Sequence, residues 1–172
     1  MEVNGYIINP NADLSGADLS KVNLDYVDLS GANLFSADLF QTSLRFANLN
    51  GANLTRANLK QANMFNASLL NANFTGANLV MVDFTGAKLG ETNFSEADLS
   101  RARFGYRAHL TRINFSRSDL RGADFYSTFF YKVDMSEANI ERTNFQSASL
   151  SDVNLNGVKN RDLANFRDTA IF

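Results

Sequence analysis

The sequence lacks several residues on which many enzymes and secreted proteins depend. It contains no cysteine, one proline and one histidine among its 172 residues. Without cysteine the chain has no disulfide, no thiolate nucleophile and no cysteine-ligated metal, and it suits a reducing compartment such as the cytoplasm. A single proline leaves little material for linkers, which favours one uninterrupted architecture.

Charge of one sign and long apolar runs are also missing. The 16 basic and 18 acidic residues give a net charge of −2, so no global field selects a partner. No run of about 18 apolar residues is present that would span a membrane. The first residues, MEVNGYIINPN, lack the basic and apolar regions of a signal peptide. We therefore expect a single cytoplasmic domain over residues 1–172, with no membrane contact.

The sequence does contain a repeat with a period of five residues. Every fifth residue from 14 to 104 is Leu, Phe or Met, and after one extra residue the series continues from 110 to 155 with Leu, Phe, Met or Ile. We call these residues the centres. Two residues before each centre lies a small or β-branched residue, most often Ala, and directly before the centre lies Asp or Asn in most units.

A period of five fits neither a helix nor an alternating strand. Within one unit, however, the small residue and the centre are two apart, so extended backbone points both to the same side. Most of the ten glycines occupy the second residue after a centre, as a turn with an unusual backbone angle would require. Each unit therefore predicts a very short strand followed by a corner.

The units have the form A-(D/N)-L-x-x and resemble those of the pentapeptide-repeat family over about residues 12–155. The resemblance implies an all-β fold: a right-handed quadrilateral β-helix (a solenoid) with four units per coil and about seven to eight coils. Small residues and centres would face inward and the remaining residues outward. Seven coils at ~4.8 Å spacing would form a rod roughly 34 Å long.

A coil of four units places residues 20 apart in one column. We number the walls of the coil by their first centres, Leu14, Leu19, Leu24 and Leu29. Seven of the eight central phenylalanines then fall on the first and third walls, although a two-unit period would align them equally. They stay aligned across the extra residue at 105–109, which we expect to bulge outward. The Asp and Asn residues also form columns, which we expect to hydrogen-bond from coil to coil.

The N-terminal end of such a stack needs a cover, because an open sheet edge recruits other chains. We expect residues 1–11 to cap the first coil, with Tyr6, Ile7 and Ile8 as an apolar plug.

The C-terminal residues 156–172 keep the repeat only after a second one-residue shift. They predict an irregular last coil or cap, and a short helix over residues 162–168 is the alternative. The apolar end formed by Ala170, Ile171 and Phe172 would either cover this coil or join two chains end to end. A monomer and an end-to-end homodimer both remain open.

Catalytic residues are scarce in the sequence. His109 has no partners that would complete a triad, and no metalloprotease, phosphate-loop or dinucleotide motif is present. The acid pairs Asp18 with Asp38 and Asp98 with Asp119 would stack, but they occupy a repeat position on a convex wall. We therefore expect no catalytic, cofactor-binding or metal site, no cofactor and no enzymatic activity.

The fourth wall departs from the repeat at three successive coils. Before its centres it carries Lys88, His109 and Phe129, where Asp or Asn is expected. Grouped aromatic and Arg side chains are typical of binding hot spots, although exposed positions also tolerate random change. The candidate interaction surface consists of Lys88, Tyr106, Arg107, His109, Arg112, Tyr126, Phe129, Tyr131 and Lys132.

A second candidate patch lies near the N-terminus. Tyr26, Phe46 and Phe65 share the third wall, and Phe35 and Phe40 lie on the two preceding walls. All occupy outward positions, so they form either a protein interface or a cover for the corners.

A group of arginines lies in the middle of the rod, and with four walls per coil it encircles the rod. Nucleic-acid binding normally needs basic charge on one face, so we do not expect it. The arginines are Arg101, Arg103, Arg107, Arg112, Arg117 and Arg121.

Two functions follow from the resemblance. The first is a protein-interaction scaffold with an unknown protein partner, as for many bacterial members of the family. The alternative is a DNA mimic that inhibits or protects DNA gyrase, as in the quinolone-resistance branch. A DNA mimic should be strongly acidic, and this chain, with nearly balanced charge and mostly Ala and Leu in its units, departs from that branch.

Overall fold

The computed structural model describes residues 1–105 and 107–171. Parallel backbone bridges join residues 20 apart, for example Asp13 to Asn33 and Asn33 to Asn53. Twenty residues are four units of five, so each coil has four walls, and the predicted β-helix is confirmed. A two-unit coil is excluded, because it would pair residues 10 apart.

The corners explain two features of the repeat. The second residue after the centre has a positive φ, 66° at Gly16 and 57° at Lys21, which is why glycine is enriched there. Directly before the centre, the side-chain oxygen of Asp13 accepts the backbone N–H of Ser15 at 3.2 Å. This Asx turn recurs in most units and bends the chain toward the next wall.

The core consists of the small residues and the centres, stacked in columns. Between ring centroids, Phe94 stacks on Phe74 at 5.1 Å and on Phe115 at 5.3 Å, and it meets Phe84 of the third wall edge-on at 5.5 Å. The aromatic contacts continue to Phe166 in the last coil. Aromatic stacking stabilises the interior beyond the area it buries.

Regular strands are confined to the two ends and the fourth wall in the described part of the chain. β1 pairs antiparallel with β2, and β3 to β6 form a four-stranded parallel sheet on the fourth wall, in chain order. The bounds are β1 Glu2–Val3, β2 Tyr6–Ile7, β3 His109–Thr111, β4 Phe129–Asp134, β5 Ser149–Asn154 and β6 Ala170–Ile171, with one 3-10 helix at Arg161–Leu163.

The extra residue after Phe104 shifts the register by one. Asn93 pairs with Asn114, 21 residues later. The interior is undisturbed, as expected, because Phe104 still stacks with Phe84 at 5.2 Å and with Phe125 at 4.4 Å. The insertion is therefore absorbed outside the core.

The N-terminal hairpin of Glu2–Val3 and Tyr6–Ile7 lies against the first coil. Ile8 is buried and Tyr6 packs partly against the core. The expectation for Ile7 was wrong, since its side chain is 66% exposed. Successive side chains of a strand point to opposite sides, so Ile7 faces solvent where Tyr6 and Ile8 face the core.

At the C-terminus the chain forms a distorted last coil. Asn139 pairs with Lys159, 20 residues on, whereas Asn144 pairs with Asn165, 21 residues on. The extra residue lies at the 3-10 turn Arg161–Leu163. The alternative of a helix over 162–168 is wrong, because Ala164 is already extended. Phe172 lies outside the described residues.

Candidate interaction surfaces

The longest strand of the fourth wall, β4, presents two aromatic side chains to solvent. Phe129 is 43% exposed and Tyr131 46%, whereas Phe130 between them is buried in the core. Alternation along the strand places Phe129 and Tyr131 on the same outer face. They form the centre of the first candidate surface.

Neighbouring coils add to this centre. The ring of His109 stacks on that of Phe129, with centroids 4.9 Å apart and an interplanar angle of 16°. The ammonium of Lys132 lies 5.2 Å from the centroid of the Tyr131 ring. A cation over an aromatic face is favourable. The structure therefore brings these four predicted residues together.

The remaining predicted residues surround this centre less closely. Arg112 donates from Nη1 to Glu91 Oε1 at 2.6 Å, so its charge is compensated. Tyr126 is exposed on the corner that precedes the fourth wall. Arg107 is exposed and lies with Lys88 beside a notch in the wall. Tyr106 lies outside the described residues.

The second candidate patch divides in two. Tyr26 and Phe46 stack with centroids 4.9 Å apart, and Phe46 meets Phe65 edge-on at 5.7 Å. Phe35 and Phe40 make no ring contact with them in the described structure. Phe40 instead lies beneath the Lys21 ammonium, 5.8 Å away. Only the first three rings, therefore, form one surface, because Phe35 and Phe40 occupy other corners.

The arginines encircle the rod, as expected, and most are paired with acids one coil earlier. Arg112 contacts Glu91 at 2.6 Å, and Arg117 contacts Glu96 at 3.6 Å. These acids lie 21 residues before their arginines, in the same column, which is the signal in the sequence that predicts the pairs. Arg103 follows the same rule with Asp83 at 3.9 Å.

Within a coil, Arg121 chelates Asp119, and this hydrogen bond raises the pKa of the Arg121 guanidinium. The arginines thus present no single unpaired basic face, as the sequence predicted.

The first coil carries ionised carboxylates that the sequence analysis did not single out. The hydroxyl and backbone amide of the serine two residues later lower the pKa of each carboxyl. The three are Asp13, Asp18 and Asp28, with Ser15, Ser20 and Ser30. Lowered values mean that stacking of Asp18 on Asp38 does not hold a proton at Asp18. Over residues 1–105 and 107–171, no acid or histidine cluster has the arrangement of a metal site.

The amide columns also turn out to have a direction. Asn33 donates from Nδ2 to Asp13 Oδ1 at 3.0 Å, and Asn53 donates to Asn33 Oδ1 at 3.1 Å. The first rung only accepts, so an aspartate suits it. The expected continuous ladder on the first wall is interrupted higher up, where Asn93 donates instead to Thr75 Oγ1 at 3.0 Å.

In the described residues no helix has the length and apolar character required to cross a bilayer.

Comparison with known proteins gives a family match along most of the chain. The model of pentapeptide repeats matches residues 11–45, 42–79, 77–106, 106–136 and 130–159. A search of curated protein sequences gave no significant match.

Solved pentapeptide-repeat structures are similar to the chain. HetL, involved in heterocyst differentiation regulation in the cyanobacterium Nostoc sp. strain PCC 7120, is 23% identical, with 94% of this chain and 87% of HetL covered and a TM-score of 0.44. QnrB1, a plasmid-mediated fluoroquinolone resistance protein, is 19% identical, with coverage of 94% and 78% and a TM-score of 0.46. A protein of the Arabidopsis thaliana thylakoid lumen is 24% identical, with coverage of 75% and 68% and a TM-score of 0.26.

The family match and the four-walled coils agree on one architecture, the right-handed quadrilateral β-helix. The chain therefore belongs to the pentapeptide-repeat family.

Proposed function

We propose that this chain is a non-enzymatic protein-interaction module of the cytoplasm. It binds a protein partner through the fourth wall, at the surface centred on His109, Phe129, Tyr131 and Lys132. One observation carries the proposal: two exposed aromatic rings share the outer face of β4, within the only regular sheet wall that the described residues form.

The arrangement suits a protein partner for physical reasons. Aromatic side chains bury a large area at a small cost in side-chain entropy, and they are enriched at interface centres. The backbone pairing of β4 with β3 and β5 fixes the position of both rings before binding. A preorganised surface loses less freedom when a partner binds.

A triple variant, Phe129→Ala with Tyr131→Ala and Arg112→Ala, tests the proposal in affinity capture from a lysate of the source cells. We expect the partner to be lost while the circular dichroism spectrum and melting temperature are retained. The matched control is Tyr26→Ala with Phe46→Ala and Phe65→Ala, which should keep the partner. Capture that survives the first triple variant and fails with the control would assign the interface to the third wall.

Inhibition or protection of DNA gyrase is the second candidate. The observation in its favour is charge at one end of the rod: residues 1–40 contain six acids and one base, a net charge of 1 − 6 = −5. Outward carboxylates on a narrow rod present charge as a DNA backbone does. The paired arginines of the middle coils weaken the resemblance to DNA there.

A supercoiling assay with purified gyrase distinguishes the two candidates. A DNA mimic would inhibit supercoiling at micromolar protein, and changing the first-coil aspartates to Asn would relieve the inhibition. Full gyrase activity at that concentration would remove this candidate and leave the fourth-wall proposal unaffected.

A further inference from the structure

The fourth wall is open at one level, between Lys88 and His109. Bridges join the wall below this level, from Ser68 to Lys88, and above it, from His109 to Phe129. Between Lys88 and His109 the described structure has no bridge. This level lies directly after the inserted residue, so the insertion that leaves the core intact separates the backbone here.

The opening leaves polar backbone groups without their usual partners. In other regular coils the centre's N–H donates to the coil above, as Leu69 N does to the Lys88 carbonyl at 2.9 Å. Leu89 is only 1% exposed, yet its N–H makes no such bond among the described residues. The N–H of His109 likewise lacks its bond to the Ala87 carbonyl. An unsatisfied buried donor costs about 1–3 kcal/mol, which a bound acceptor would recover.

A notch of about 390 Å³ lies over this opening. Small residues make the space: Gly86, Ala87 and Ala108 line it, and at Gly90 an added Cβ would lie 3.3 Å from Leu70 Cδ2. Leu70 forms an apolar side of the notch.

The notch is cationic. Its lining includes Lys88, Arg107 and His109 and contains no acidic residue. The nearby carboxylate of Glu91 is already bound by Arg112 at 2.6 Å. Backbone donors, positive side chains and an apolar side together favour an anion with an apolar body.

We propose that the notch binds the carboxylate of a small organic acid. The carboxylate accepts hydrogen bonds from the Leu89 and His109 N–H groups and pairs with Lys88, and the apolar body of the acid packs against Leu70. This site is distinct from the protein-binding function proposed above and stands without it.

Titration of ¹⁵N-labelled full-length protein tests the site with three probes: 3-methylbutanoate, its neutral analogue 3-methylbutanamide, and inorganic phosphate. We expect saturable shifts of the Leu89 and His109 amide resonances with the carboxylate and none with the amide. Absence of saturable shifts at tens of millimolar carboxylate would overturn the proposal. Phosphate binding as tight as that of the carboxylate would overturn the assigned ligand class.

Two variants localise the effect. Lys88→Ala should weaken carboxylate binding about tenfold, the effect of losing one charge-assisted hydrogen bond, whereas the control Lys60→Ala on another wall should change nothing. Deletion of Gly105 restores the 20-residue spacing between Lys88 and His109, so the wall should close and binding should disappear. Binding that persists in a deletion variant whose His109 amide is newly protected from exchange would contradict the proposal. If the deletion prevents folding, the Lys88→Ala comparison still decides.

Discussion

The first and fourth walls of the same coils use the residue before the centre in different ways. On the first wall it is Asp or Asn in every coil, and its side chain accepts the corner N–H, as Asn53 does from Thr55 at 3.2 Å. On the fourth wall Phe129 has no such oxygen, and Ser149 makes no such bond in the part of the chain that is described. Backbone pairing there continues through the corner to Val133 and Val153.

The difference shows how an outward position becomes available for binding. Where the side chain closes the corner, it has a structural role and little freedom to change. Where backbone pairing continues through the corner, the side chain is released, and on β4 the released positions hold exposed aromatic rings.

Two serine positions show an intermediate solution. At Ser68, the acceptor for the corner N–H comes from the preceding coil: Asn50 Oδ1 accepts the Leu70 N–H at 2.9 Å and the Ser68 hydroxyl at 2.8 Å. Asp25 does the same for Ser43 and the Arg45 N–H. A borrowed oxygen preserves the corner, so loss of Asp or Asn alone does not create a binding surface.

The largest effect we expect separates inside from outside on one strand. Phe130→Ala should lower the free energy of unfolding by about 3–5 kcal/mol, because it empties a site in the stacked core. Phe129→Ala, one residue earlier and exposed, should change it by less than about 0.5 kcal/mol. Urea unfolding followed by circular dichroism measures both. Equal losses would mean that Phe129 supports the fold, and the proposed release of this position would be wrong.

A smaller effect tests the structural role of the first wall. Asn53→Ala removes the acceptor of the Thr55 N–H and the donor to Asn33 Oδ1, 3.1 Å away. We expect a loss of about 1–2 kcal/mol in the same unfolding experiment. Asn53→Asp keeps the acceptor and removes only the donor, so its loss at neutral pH shows how much the rung between coils contributes. An unchanged stability in Asn53→Ala would remove the distinction between the two walls.

The regular part of this architecture was predictable because the repeat encodes it directly. Inward residues recur every five positions, and the phenylalanine columns are visible at a spacing of 20 across the insertion. The ion pairs such as Arg117 with Glu96 follow from the same column rule. The angle at the corners was predicted by glycine, although residues such as Tyr26 adopt it as well, with a φ of 62°.

The departures from regularity were harder to predict. The extra residue after Phe104 is evident in the sequence, but not which backbone groups would separate, because that depends on how the corner absorbs it. The opening beside Leu89 therefore appears only in the structure. Contacts between rings on different corners also depend on side-chain directions, which is why Phe35 and Phe40 were wrongly grouped with Tyr26.

The smallest effect concerns pH at the first coil. Because the folded state lowers the pKa of Asp13, Asp18 and Asp28 below 3.8, their ionised forms stabilise the fold above about pH 4. That contribution should disappear as the pH falls through the lowered values. Changing all three to Asn should flatten the dependence of the urea midpoint on pH between about 5 and 2. An equally steep dependence in the triple variant would show that other carboxylates cause it.

Site-specific photo-crosslinking tests the contrast between released and structural surfaces most directly. A photoreactive phenylalanine at position 131 on the fourth wall, and in separate cultures at 46 on the third wall and at 55 beside the first-wall ladder, would be activated in the source cells. We predict a discrete protein adduct from position 131 and none from position 55 or 46. An adduct from position 46 or 55 with none from position 131 would contradict the assignment of the interface to the fourth wall.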